Sequence, residues 1–178
     1  MMIFKETALK GAYIIEPEKY EDERGYFARV FCESEFESHG FKLNMVQSNI
    51  GFSRKKGTIR GLHYQSSPYA EVKLIRCIKG SIFDVIIDLR SDSSTYKQWF
   101  GIELNSKNSQ MLLVPENFAH GYQSLVDNSE VFYQVSQFYA SDAERGVRWD
   151  DPAFNIQWPE MIHPIISEKD NSWPDFLS

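Results

Sequence analysis

The chain has 178 residues, 42% of them hydrophobic, with a net charge of −6. That length suits one domain, expected to cover residues 1–178, with a core of its own. The acidic balance argues against a nucleic-acid partner, although basic residues could still gather around a small anion. No stretch approaches the roughly 18 to 20 consecutive apolar residues of a membrane span, and "MMIFKETALKGAYIIEP" lacks the layout of a signal peptide. Cys32 and Cys77 have no metal-type spacing, so a reducing, cytoplasmic setting without a structural zinc is expected.

In chain order, "CESEFESHGF" (32–41) reads as a short helix closed by Gly40. "SRKKGT" (53–58) reads as a solvated loop rather than a phosphate grip. "GTIRGLHYQ" (57–65) is strand-like, but strict alternation puts Arg60 and His63 on opposite faces unless Gly61 makes the strand irregular. "VKLIRCIKGSIFDVIIDL" (72–89) has two β-branched runs around Lys79 and Gly80, which predicts a tight hairpin. Within it Lys73 shares a face with Ile75 and Cys77. A lysine so placed has a partner or a task, or else reaches water from the strand end. "FGIELNSKNSQMLLVP" (100–115) and "HGYQSLVDNSEVFYQVSQFY" (120–139) repeat the hairpin pattern across Asn105 to Ser109 and Asp127 to Ser129. In the second, period-two alternation places Val131, Tyr133, Val135, Gln137 and Tyr139 on one face. The tail from Asp151 reads as irregular. These elements predict an antiparallel all-β sandwich or small barrel whose interior could hold a ligand.

Of the four histidines, His39 falls in the last turn of the expected helix, where an imidazolium complements the helix dipole, and His163 gives no site signal. His63 and His120 remain, each near a glycine in a strand-like run. A metal needs about three or four protein ligands, and "LHYQ" offers one histidine where H-x-H would offer two. Metal-free acid/base chemistry is the better expectation.

The segments "DERGYFARVF", "RGLHYQ", "EVKLIRCIKGSIFDVIIDLR", "VPENFAHGYQSL", "EVFYQVSQFYA", "ERGVRWDDPAFNIQWP" and "ISEKD" resemble, in order and spacing, those of the dTDP-4-dehydrorhamnose 3,5-epimerases. The resemblance implies a cupin-type jelly roll (a double-stranded β-helix), a homodimer with N-terminal strand exchange, and no metal or organic cofactor. It further implies His63 as base, Asp170 as its orienting carboxylate, Tyr133 as the acid on the opposite face and Lys73 as stabiliser of an enolate oxygen. Arg24, Gln47, Asn49, Arg60, His120, Glu144 and Lys169 match the family's substrate-binding positions, and Tyr139 the residue that stacks on the base.

Two departures remove negative charge. Arg29 stands where the family has a glutamate, and Ser48 replaces an acidic residue between Gln47 and Asn49. Arginine can only donate, which suits cytosine N3 better than the protonated N3 of thymine, so a CDP-linked substrate stands as an alternative to dTDP. The main expectation is an epimerase of deoxysugar biosynthesis that feeds surface polysaccharide. Inversion at C3 or C5 alone, and a non-catalytic cupin that binds a sugar nucleotide, are the alternatives.

Overall fold

The strand-forming runs are cut wherever the chain takes a left-handed turn, as at Gly80 (φ 77°), Ser109 (φ 54°) and Asn128 (φ 57°). The computed structural model describes residues 1–176; Leu177 and Ser178, the end of the expected domain, lie outside the described residues. The strands are β1 (Met2–Glu6), β2 (Tyr13–Pro17), β3 (Lys19–Asp22), β4 (Gly25–Ala28), β5 (Gln47–Ser53), β6 (Ile59–Gln65), β7 (Lys73–Lys79), β8 (Ser81–Asp88), β9 (Trp99–Asn105), β10 (Met111–Val114), β11 (Phe118–Ser124), β12 (Ser129–Val135) and β13 (Glu144–Gly146). They form a six-stranded sheet in the order β1-β2-β10-β7-β12-β5, a five-stranded sheet in the order β13-β6-β11-β8-β9, and a separate β3-β4 ribbon. Every strand pairing is antiparallel, as expected. The architecture is the all-β jelly roll.

The three expected hairpins are not hairpins. β7 and β8, β9 and β10, and β11 and β12 lie in different sheets, so each turn carries the chain from one layer to the other. β7 pairs instead with β10 and β12, and β8 with β9 and β11. The turn residues correctly signal a reversal. What decides the partner is burial, because crossing over lets both runs turn an apolar face into the space between the sheets. There Ile75, Leu112 and Val131 of one sheet meet Ile82, Ile86 and Leu104 of the other.

Both outer faces are also covered. α1 (Glu33–Ser38) buries Phe36 against Met2, Ile15, Leu74 and Met111, and lies within the helix expected over 32–41, with Gly40 following at φ 88°. The irregular tail packs Phe154, Ile156 and Trp158 on Ile59, Val85 and Ile87, then forms one short helix, α2 (Glu168–Asn171). Double coverage explains why β8 is almost continuously buried rather than alternating. The β3-β4 ribbon leaves Tyr20, Tyr26 and Phe27 exposed, and edge strand β5 leaves Ile50 and Phe52 exposed. Among the described residues no helix is long and apolar enough to cross a membrane.

The irregularity expected at Gly61 is present. β6 and β11 pair His63 with His120 but Arg60 with Tyr122, so β6 spends one residue more than its partner. Gly61 has φ 120°, and a Cβ there would lie 2.5 Å from Gly121 Cα. A Cβ on Gly121 would lie 2.7 Å from the Arg60 carbonyl oxygen. The two backbones touch, and the extra residue lets Arg60 and His63 line the same hollow. Gly121→Ala is expected to force the strands apart and cost about 1–3 kcal/mol, read as a lower unfolding free energy in urea.

Candidate active site

Two adjoining hollows open between the sheets, with about 500 and 760 Å³ of open space, and both are lined by His63, Lys73 and Tyr133. Gln47, Asn49, Glu71, Tyr139 and Glu144 line the first; Arg60, His120, Tyr122 and Asp170 line the second. His63 comes from β6 of the smaller sheet, whereas Lys73 on β7 and Tyr133 on β12 come from the larger. A ligand held here meets one set of groups on each side.

His63 Nε2 lies 2.6 Å from Asp170 Oδ1. Asp170 is buried on α2, where Ser167 caps its backbone N–H, and its other oxygen accepts the Gly61 N–H at 3.2 Å. Burial pushes the carboxyl up, but the bond to His63, its charge and the Gly61 N–H outweigh this and hold it below the usual range. An ionised carboxylate only accepts, so Nε2 carries the proton and Nδ1 keeps a lone pair for the cleft.

Lys73 is the first residue of β7 yet is buried, so the partnered alternative holds and the water-reaching one does not. Its Nζ donates to the His63 carbonyl at 3.1 Å and pairs with Glu71 Oε1 at 3.1 Å. The half-buried Tyr133 phenol is pushed up by burial and then by Glu71, with Arg60 opposing, which keeps it protonated at neutral pH. His120 is buried with Nε2 3.0 Å from Asp84 Oδ2, and Asp84 is fully buried. At the rim Tyr139 donates to Glu144 Oε2 at 2.7 Å, and Lys169 pairs with the same carboxylate at 2.6 Å. Arg60 Nη2 donates to the Phe52 carbonyl at 2.8 Å, and Gln47 Nε2 donates to Asn49 Oδ1 at 3.1 Å. Strand pairing of β12 stops at Val135, but Tyr139 lines the cleft beside Tyr133 all the same.

The chain does not bring every expected residue here. Ser48 is exposed on β5 between the cleft-lining Gln47 and Asn49, so the alternation turns it away. Arg24, in the turn of the β3-β4 ribbon, is ion-paired with Asp22, and Arg29 lies 3.0 Å from Glu35 Oε1. Neither arginine lines either hollow. Within "SRKKGT", Arg54, Lys55 and Lys56 are solvated as expected, with Lys55 and Lys56 paired to Asp127 and Glu160, while Ser53 ends β5 and is buried, as is Gly57. His39 follows α1 with Nδ1 2.8 Å from the Glu35 carbonyl.

Sequence reasoning missed Glu71, Gln65 and Asp84. Asp84 had a legible signal, since an aspartate inside the apolar run "IFDVIID" is buried only when paired. Glu71 and Gln65 stand inside the segments used above, and their roles arise from a contact between them at 3.2 Å. Among the described residues no group of three or more His, Cys, Asp or Glu side chains could hold a metal ion.

The family model described as dTDP-4-dehydrorhamnose 3,5-epimerase matches residues 6–178. A dTDP-4-dehydrorhamnose 3,5-epimerase of Sinorhizobium fredii is 42% identical over 97% of this chain and 89% of its own. Two solved structures are similar. The Bacillus anthracis dTDP-4-dehydrorhamnose 3,5-epimerase, with TDP and pyrophosphate bound, superposes with a TM-score of 0.96 at 42% identity, covering 99% of this chain and 100% of that one. The Legionella pneumophila dTDP-6-deoxy-D-glucose-3,5-epimerase, in complex with dTDP-4-keto-L-rhamnose, gives 0.91 at 32% identity over 100% of both chains.

Asp170→Asn replaces an acceptor-only group with an amide that can donate. The His63 proton is expected to move from Nε2 to Nδ1, read from the imidazole nitrogen shifts by ¹⁵N NMR of the unliganded protein.

Proposed function

Because the chain belongs to the dTDP-4-dehydrorhamnose 3,5-epimerase family, we propose that it converts dTDP-4-dehydro-6-deoxyglucose to dTDP-4-dehydrorhamnose by inverting C3 and C5. The observation that carries this reading is the opposition of a carboxylate-held imidazole on one sheet to a protonated phenol on the other, across hollows that also contain a buried ammonium.

C3 and C5 both flank the ketone, so loss of either proton places charge on O4. His63 Nδ1 takes the proton, and Asp170 balances the imidazolium that results. Lys73 Nζ supplies a cation for the enolate oxygen. Tyr133 returns a proton from the other sheet, hence to the other face of the sugar, and the centre inverts. Arg60, His120, Gln47 and Asn49 offer donors to the diphosphate and nucleoside, and Tyr139, tied to Glu144 and Lys169, offers a ring for the base. A pure binder has no use for an opposed acid and base. The CDP alternative rests on Arg29 meeting the pyrimidine; in its own chain that guanidinium pairs with Glu35, and the dTDP reading follows the family. The free cysteines Cys32 and Cys77 suit a cytoplasmic enzyme.

The working unit in this reading is a homodimer. The ribbon's exposed Tyr20, Tyr26 and Phe27, and the exposed Ile50 and Phe52 of the unpaired β5 edge, give two apolar surfaces that an exchange between copies would cover. The same exchange carries Arg24 to the partner's cleft, which its own chain leaves without it.

His63→Ala is expected to lose at least roughly 10²-fold of deuterium uptake at C3 and C5 in D₂O while still binding dTDP. Tyr133→Phe should keep part of the exchange and lose net inversion, both read by NMR of the sugar. Exchange near the wild-type rate in His63→Ala would remove it as base. For the dimer, His63→Ala and Arg24→Ala copies are each expected to be weak alone and to recover activity when refolded together, because a mixed pair contains one whole site. Absence of recovery, or a monomer in sedimentation, overturns the exchange.

A further inference from the structure

The mechanism leaves Glu71 unused, although it lines the cleft and its side chain is only 12% exposed. We propose that Glu71 is a positioning residue of the proton-transfer site, fixing the Lys73 ammonium so that one N–H remains for the ketone oxygen; this deepens, and rests on, the epimerase reading above.

Lysine brings three donors and a flexible four-carbon stem. Here one donor goes to Glu71 Oε1 and another to the His63 carbonyl oxygen, each at 3.1 Å. The third is left for the hollows that Lys73 lines. Glu71 is itself held, because its Oε2 accepts from Gln65 Nε2 at 3.2 Å. Gln65 is fixed in turn by the Ala140 N–H at 2.6 Å, and its two amide hydrogens are shared among Glu71, the Tyr69 carbonyl at 3.0 Å and the Phe138 carbonyl at 3.2 Å. The ammonium is therefore braced by a chain of contacts running from β7 to β6 to the segment after β12. A buried lysine could have been neutralised by a carboxylate placed anywhere beside it. This carboxylate is instead locked on its far side, which is what direction rather than mere charge balance requires.

The wild type is first assayed on dTDP-4-dehydro-6-deoxyglucose. In Glu71→Ala, kcat is expected to fall between roughly 10- and 100-fold, as for a misplaced catalytic group, with KM and the dTDP dissociation constant within about twofold. Glu71→Gln keeps one acceptor oxygen for Lys73 but sets its own NH2 against Gln65 Nε2, so it should recover only part of the loss. Should Glu71→Ala not fold, Glu71→Asp, which keeps the charge but shortens the reach, carries the same expectation. An unchanged kcat, or a loss confined to KM and dTDP affinity, overturns the proposal. A wild type with no turnover ends the epimerase reading instead. The Glu71 brace is then decided without substrate by the NMR order parameter of the Lys73 Cε methylene, assigned with Lys73→Arg. It should drop most in Glu71→Ala and less in Glu71→Gln; equal values in all three proteins overturn it.

Discussion

The contact between Gly61 and Gly121 governs where everything else in the cleft can stand. At a normal strand spacing Cβ atoms fill the gap between neighbours, but here either Cβ would lie within 2.8 Å of the opposing backbone. Removing both side chains lets β6 take an extra residue against β11. That residue resets the alternation, so that Arg60 and His63 line one hollow. The same offset sets His63 directly across from His120 and presents the Gly61 N–H to Asp170.

From this register the division of labour between the sheets follows. The smaller sheet holds the imidazole, and the larger holds the phenol and the ammonium. A ligand lying between them would meet groups of different kinds on its two faces without any group having to move across the site. The sandwich supplies this geometry because its interior is walled by two independent layers. A single sheet would present both groups to the same face of a ligand.

Much of this was readable from the residues, and the failures have identifiable causes. The helix closed at Gly40 and the irregularity weighed at Gly61 rest on local chemistry, and local chemistry sufficed; for Lys73 a partner and a reach to water both stood open, and burial beside Glu71 decides between them. The hairpins failed because a glycine or asparagine turn encodes a reversal without encoding which strand comes alongside, and that is settled by burial between layers. Arg24 and Ser48 stand away from their own chain's hollows for different reasons. Ser48 obeys strand alternation, which family likeness alone does not apply. Arg24 belongs to a ribbon that stands apart from the sheets of its own chain. Glu71 was hidden because its meaning depends on Gln65, six positions earlier, which the loop between β6 and β7 folds back against it.

The imidazole and the carboxylate that orients it lie 107 positions apart in the chain. Asp170 rides on a four-residue helix that follows the irregular tail, not on either sheet. Such a segment opens at a lower free energy than the strands it leans on. Were α2 to open, the histidine would lose its tautomeric guide while both sheets kept their pairing, so the orientation of this imidazole rests on a segment outside the sandwich.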